Sequence, residues 1–271
     1  VAVAATYNPV TGTLTPSSPL ADGVHTITYQ LLDAAGNTSA ATANFAVTGD
    51  TVAPTVSSVT FLAATGAQNN TLNAGDTPSF QVTMSEAVTV TGSPRVTLMV
   101  GASTVQASFS SVQSGGRVWF VYTILAGQTD TNGISIAANS LSLNGGTIRD
   151  TAGNNATLTH SAVADNAGHL VDTTRPTLAI ATPVSGGYVN ATEDDSPLVI
   201  AGTSSGADGQ SVTVNVGGLS KTATVAAGGA WQVTLAAVEL QARSIGTVNI
   251  TANVSDPAGN AAIQATASYI Y

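Results

Sequence analysis

Asp150-Thr-Ala-Gly-Asn154 is the middle one of three copies of a single five-residue run. Asp33-Ala-Ala-Gly-Asn37 precedes it and Asp256-Pro-Ala-Gly-Asn260 follows it. After each of the first two comes a proline-bearing stretch, Asp50-Thr-Val-Ala-Pro54 and Asp172-Thr-Thr-Arg-Pro176. Beyond each proline lies an acidic turn, Asn73-Ala-Gly-Asp-Thr-Pro78 and Asn190-Ala-Thr-Glu-Asp-Asp-Ser-Pro197. Three kinds of element recurring in one order mark an internal repeat. The expected boundaries are 1–50 for the C-terminal part of a repeat, 51–172 for a longer repeat and 173–271 for a third.

Between these turns the text alternates apolar and polar residues with period two, as in Ser79-Phe-Gln-Val-Thr-Met84 and Ser211-Val-Thr-Val-Asn-Val216. Such alternation predicts half-buried strands, and Ser114-Gly-Gly116 and Ala227-Gly-Gly229 supply turns between them. About seven short strands per ~100 residues, without a cysteine–tryptophan–cysteine signature, indicate all-β, tandem immunoglobulin-like β-sandwiches arranged as an extended rod. Helical periodicity shows only over residues 235–242. The apolar run 118–126 is far short of the ~20 residues that span a bilayer and reads as a buried strand.

Composition narrows the function classes. Among 271 residues only 8% are charged, and the net charge is −9. That balance lacks the basic footprint that nucleic acid or an anionic membrane requires. Cysteine is absent, which favours a reducing compartment or a bacterial surface repeat over a disulfide-stapled secreted domain. Val1 stands mid-pattern with no charged leader, so a fragment without its targeting signals is expected.

The third repeat resembles the bacterial Ig-like domains of giant, type I-secreted, calcium-binding adhesins of the SiiE type. Val199-Ile-Ala-Gly-Thr203, Trp231-Gln-Val-Thr-Leu235 and Val254-Ser-Asp-Pro-Ala-Gly-Asn260 fall in that family's order after the acidic turn at 190–195. The second repeat resembles a longer relative, through Ser85-Glu-Ala-Val-Thr-Val-Thr-Gly-Ser-Pro94 and Leu143-Asn-Gly-Gly146. Leu20-Ala-Asp-Gly-Val-His-Thr26 is similar to the back half of an ordinary repeat. The resemblance implies a secreted, cell-surface adhesion stalk with Ca2+ at its junctions, and no enzyme. Its partners would be neighbouring repeats and, through the parent protein, a host receptor or glycan.

Eight of the twelve aspartates lie in the recurring turns and junctions. Calcium takes six to eight oxygen ligands from carboxylates, carbonyls and water. If D-x-A-G-N lies at the end of the sandwich from which the junction departs, Asp33, Asn37, Asp50 and Asp76 gather at the first boundary. Asp150, Asn154, Asp172 and Asp194 or Asp195 would gather at the second, where Arg175 stands beside the junction and weakens the site. Asp256 would belong to an incomplete site. Turn chemistry alone also accounts for the motif, since Asp caps an Asx-turn while Gly and Asn accept left-handed backbone. Both readings remain open on the sequence.

Other motifs carry less. Gly202-Thr-Ser204-Ser-Gly206 matches the nucleophile elbow, but a strand follows and no histidine lies downstream. It reads as a turn. His25, His160 and His169 lack zinc spacing and read as exposed. Glu86, Glu193 and Glu239 sit in no aromatic-lined context that would suit glycoside hydrolysis. Trp119 and Trp231 lie in strand patterns and are expected in cores. A module that itself binds a glycan or protein is the rival reading, and an enzyme would need a catalytic domain outside this sequence.

Overall fold

A computed structural model describes residues 5–271. The chain is almost entirely strand and turn. Residues 5–49 form two antiparallel ribbons, β1 (Ala5–Asn8) with β2 (Thr13–Pro16) and β3 (Gly23–Ile27) with β4 (Phe45–Gly49). No residue between 5 and 49 is buried, and Tyr7, Leu14, Val24, Tyr29, Leu31, Leu32 and Phe45 face solvent. A two-stranded ribbon has one layer and cannot enclose an apolar face.

The middle sandwich is built from β5 (Val56–Phe61), β6 (Thr71–Leu72), β7 (Ser79–Met84), β8 (Thr89–Thr91), β9 (Arg95–Val100) and β10 (Ser103–Gln113). It continues through β11 (Arg117–Val121), β12 (Thr129–Asp130), β13 (Ser135–Ser142), β14 (Thr147–Arg149) and β15 (Leu170–Asp172). Its main sheet has the order β13-β9-β10-β11-β7-β5, and β12-β15-β6 and β14-β8 complete it. On β7 the inward side chains are Phe80, Val82 and Met84, which pack with Leu98, Val118, Phe120 and Ile148. Phe80 and Phe120 stack with ring centroids 5.6 Å apart.

The C-terminal sandwich comprises β16 (Thr177–Ile180), β17 (Leu198–Ser205), β18 (Ser211–Val216), β19 (Leu219–Thr224), β20 (Ala230–Leu235), β21 (Thr247–Asn253) and β22 (Ala265–Ile270), with a short helix α1 (Ala237–Gln241). Sheets β16-β17-β20 and β19-β18-β21-β22 enclose a separate core around Ile200, Val214, Trp231, Leu235 and Ile250. This three-over-four arrangement is the immunoglobulin-like sandwich that the period-two pattern indicates.

Three local expectations are corrected. Trp119 is 36% exposed, because β11 turns Val118 and Phe120 inward and leaves Trp119 outside, its Nε1 donating to Gln81 Oε1. His169 is buried, not exposed; one ring nitrogen lies 2.9 Å from the Leu62 carbonyl, the ring lies against Phe61, and burial lowers its pKa. Gly202–Gly206 is no turn for its first four residues, which belong to β17, and buried Ser204 donates its hydroxyl to the Thr177 carbonyl at 2.7 Å. That hydroxyl is occupied in joining β17 to β16. Among the described residues no helix is long and apolar enough to cross a membrane.

Candidate metal centre and the junction turns

The three D-x-A-G-N runs share one hydrogen-bond pattern. In each, the aspartate Oδ1 accepts the backbone N–H of the asparagine four residues on, at 2.8 Å for Asn37, 2.8 Å for Asn154 and 2.9 Å for Asn260. The other carboxylate oxygen accepts that asparagine's side-chain amide, at 2.9, 2.8 and 2.9 Å respectively. The aspartate N–H returns to the asparagine carbonyl in all three. Charge-assisted bonds of this kind hold the turn without a metal. For Asp33, the bond from the Asn37 side chain is the main reason its pKa falls below the usual aspartate value.

The remaining amide hydrogen of the asparagine ties the turn to the junction that enters its own sandwich. Asn154 Nδ2 donates to the Asp50 carbonyl at 3.0 Å, and Asn260 Nδ2 donates to the Asp172 carbonyl at 2.9 Å. The grouping expected from the sequence is therefore corrected. In the C-terminal sandwich the turn joins β21 to β22, and β22 must run the length of the sheet before the chain leaves near Gly246 and Val189. D-x-A-G-N thus lies at the entrance end of each sandwich and not at its exit.

The placement of single residues follows. Asp33 and Asn37 lie beyond the Ile27–Phe45 end of the β3–β4 ribbon, whereas Asp50 follows its Gly23–Gly49 end. Asp76 precedes β7 and Glu86 follows it, so Asp76 and Asp50 sit at opposite ends of that strand, about 20 Å apart. Asp76 Oδ2 accepts the Asn73 backbone N–H at 2.8 Å. Asp194 and Asp195 lie at the exit end of the C-terminal sandwich, where Tyr271 donates to Asp194 at 2.6 Å and Gln241 donates to Asp195 at 3.1 Å. They do not meet Asp172.

Among the described residues one set of carboxylates converges. Asp50, Glu86 and Asp150 each offer an oxygen within 4.8 Å of the others. Asp150 is buried, and Asp50 and Glu86 are half-buried. Glu86 stands one residue past the β7–β5 pairing, where Ser85 and Thr55 bond each other through Ser85 N–H to the Thr55 carbonyl and Thr55 N–H to Ser85 Oγ. Burial first, and then the charges of Asp50 and Asp150, push the Glu86 carboxyl above its ordinary value. Burial also acts upward on Asp150, but the amide of Asn154 and the N–H groups of Asn154, Gly153 and Ala152 outweigh it and hold that carboxyl low. The single ion pair among the described residues, Lys221–Glu239, is elsewhere. Among the described residues no cation neutralises the three acids. The set fits a hard divalent ion: two ligands on one ion at 2.3–2.6 Å are separated by at most about 5 Å, and all three donors are oxygens.

Glu86 was not a metal candidate in the sequence reading. Its signal is parity: Phe80, Val82 and Met84 point inward, and the next residue in that series is an acid at the strand's end.

The second boundary lacks this third acid. Met84 and Ser204 each donate N–H to a glycine carbonyl, Gly116 and Gly229, and Ser85 and Ser205 each pair with the first strand through Thr55 and Thr177. Gly206 therefore occupies the Glu86 position. Asp172 and Asp256 remain, each engaged by backbone N–H groups, with Arg175 exposed nearby.

No protein-family model matches the chain, and no curated protein matches it. Solved structures do. A Ca2+-stabilized adhesin by which an Antarctic bacterium reaches out and binds ice is 24% identical over 92% of this chain, with a TM-score of 0.43; this chain spans 56% of that one. A 1.5-MDa bacterial ice-binding adhesin, concerned with retention at the host cell surface, is 19% identical over 93% of this chain and 74% of the other, with a TM-score of 0.42. A bacterial immunoglobulin-like domain of the M. primoryensis ice-binding adhesin is 31% identical over 35% of this chain and 93% of its own length, with a TM-score of 0.28. All three belong to bacterial ice-binding adhesins, and the third is an immunoglobulin-like domain of one.

Proposed function

We propose that the chain is a spacer segment of a large bacterial surface adhesin, divided into repeats at 1–50, 51–172 and 173–271 and extended as a rod. In this reading it is secreted by a type I route, is not an enzyme, and belongs to a calcium-binding giant adhesin of the SiiE type. Calcium at Asp50, Glu86 and Asp150 stiffens the first boundary, with Asn154 holding the Asp50 backbone in place. Asp172 and Asp256, with Asn260, form a weaker site at the second. Asp33, Asn37, Asp76, Asp194 and Asp195 act mainly through their turns. Receptor contact with a host glycan or protein is left to the parent protein.

The observation that carries this reading is the convergence of an acid from the junction, Asp50, with two from the entrance end of the sandwich it enters, Glu86 and Asp150. A cation there cross-links the junction to the sandwich. Without one, three like charges push them apart. Small-angle scattering with calcium and with chelator tests it: an extended particle that becomes more variable in chelator supports the spacer, and a compact globule in both opposes it. A second reading, direct glycan binding, is favoured by the exposed aromatics, Trp119 on its sheet and Tyr7, Tyr29 and Phe45 among residues 5–49, and a glycan array decides it.

A further inference from the structure

The middle and C-terminal sandwiches touch through a contact unlike the acidic cluster. Asn69 Nδ2 donates to the Pro257 carbonyl at 2.8 Å, and Asn73 Nδ2 donates to the Ala258 carbonyl at 2.9 Å. Both donors come from the exit end of the middle sandwich, and both acceptors from the D-x-A-G-N turn of the next. Gly259 completes the fit: a Cβ there would fall 2.3 Å from Gln68 Nε2 and 3.1 Å from Asn73 Nδ2. The socket is prearranged. Asn69 and Asn70 hold left-handed backbone with φ of 51° and 62°, and Asp76 fixes the backbone of Asn73 through its N–H. Proline at 257 fixes φ and so narrows the backbone conformations from which its carbonyl is presented.

We infer that this boundary is closed by a neutral amide latch, a socket of Gln68, Asn69 and Asn73 that accepts the 257–259 turn and requires no cation. Every donor is an uncharged amide and every acceptor a backbone carbonyl, so neither chelator nor salt removes the attraction. The corresponding turn at the first boundary makes no such fit, since a Cβ on Gly153 would meet nothing within 4 Å. The two boundaries therefore differ in kind: at the first a cation holds the junction, and at the second the amides hold the turn closed whether or not the weaker site at Asp172 and Asp256 is filled. Asp76 serves as a positioning residue for the latch.

The test uses the full chain, which has no cysteine of its own. Ser103→Cys and Ser220→Cys, both exposed and one on each sandwich, carry spin labels for distance-distribution measurement. The unsubstituted latch should give the same narrow distribution in calcium and in EDTA. Asn69→Gly with Asn73→Ala keeps the left-handed backbone and removes both amides. At about five-fold per neutral hydrogen bond, the open-to-closed ratio should rise about 25-fold, in either buffer. Asn73→Ala alone should give the intermediate effect. A distribution that widens in EDTA without substitution, or that stays narrow in the double variant, overturns the latch. A calcium isotherm on the double variant separates this from the proposed function: loss of the Asp50–Glu86–Asp150 site would leave the latch result untouched.

Discussion

Asn260 donates its side-chain amide to the backbone carbonyl of Asp172, 88 residues earlier, at 2.9 Å. The same amide group also donates to Asp256 Oδ2. One neutral side chain thus closes its own turn and anchors the chain entering the sandwich, as Asn154 does for Asp50. Asn260 is buried, so a replacement leaves polar atoms unpaired.

Asn260→Asp replaces a donor by an acceptor beside Asp256. Losing the buried bond costs about 1–3 kcal/mol, with like-charge repulsion added. Chemical denaturation followed by tryptophan fluorescence should show the Trp231 transition moving to lower denaturant while the Trp119 transition stays in place. A shift of both by the same amount would mean that the two sandwiches unfold as one unit.

Gly202→Ala should break the C-terminal sandwich. A Cβ there would lie 2.1 Å from the Ala179 carbonyl and 2.2 Å from the Trp231 ring. Backbone on one side and a buried ring on the other leave nowhere to yield, and overpacking of this kind costs about 3 kcal/mol or more. Limited proteolysis should cut within 177–271 and spare the middle sandwich. An unchanged digest would contradict the packing described.

The acidic cluster gives a pH signature with two separate windows. Glu86 is raised in the folded state, so its contribution is present below the ordinary glutamate value of 4.5 and is lost as pH rises through the raised value. Asp150 is lowered, so its contribution is present above the ordinary aspartate value of 3.8 and is lost as pH falls through the lowered value. In chelator, Glu86 should lower the stability of the middle sandwich as pH rises from 4.5 toward neutrality, against the opposite contribution of buried His169 below 6.5, and Glu86→Gln should remove the Glu86 part alone. Calcium binds the deprotonated carboxylates, so it should reverse the sign of the slope. Melting curves across this range, with and without calcium, check both statements. The same slope in Glu86→Gln would assign it to another group.

Strand alternation made the sandwiches legible from residues such as Ser211-Val-Thr-Val-Asn-Val216, where polar and apolar positions are distinct. It failed at Trp119, because 118–122 is apolar on both faces and period two leaves the phase undecided. The recurring turns were legible too, and all three adopt one geometry. Their partners were not. More than ten residues separate Asn37 from Asp50 and Asn154 from Asp172, enough to run back along the sheet, which places each turn at the entrance. Glu86 escaped notice because one acid after a strand has no distinctive spacing; its meaning comes from Asp50 and Asp150, each more than thirty residues away.

The central claim is that Asp50, Glu86 and Asp150 hold one calcium ion. Isothermal titration of calcium into the full chain, beside its Glu86→Gln variant, measures this directly. The account expects one tight site in the unsubstituted chain and an affinity about tenfold or more weaker in the variant, because calcium affinity follows the number of charged ligands. No calcium binding, or identical isotherms for the two chains, would contradict it.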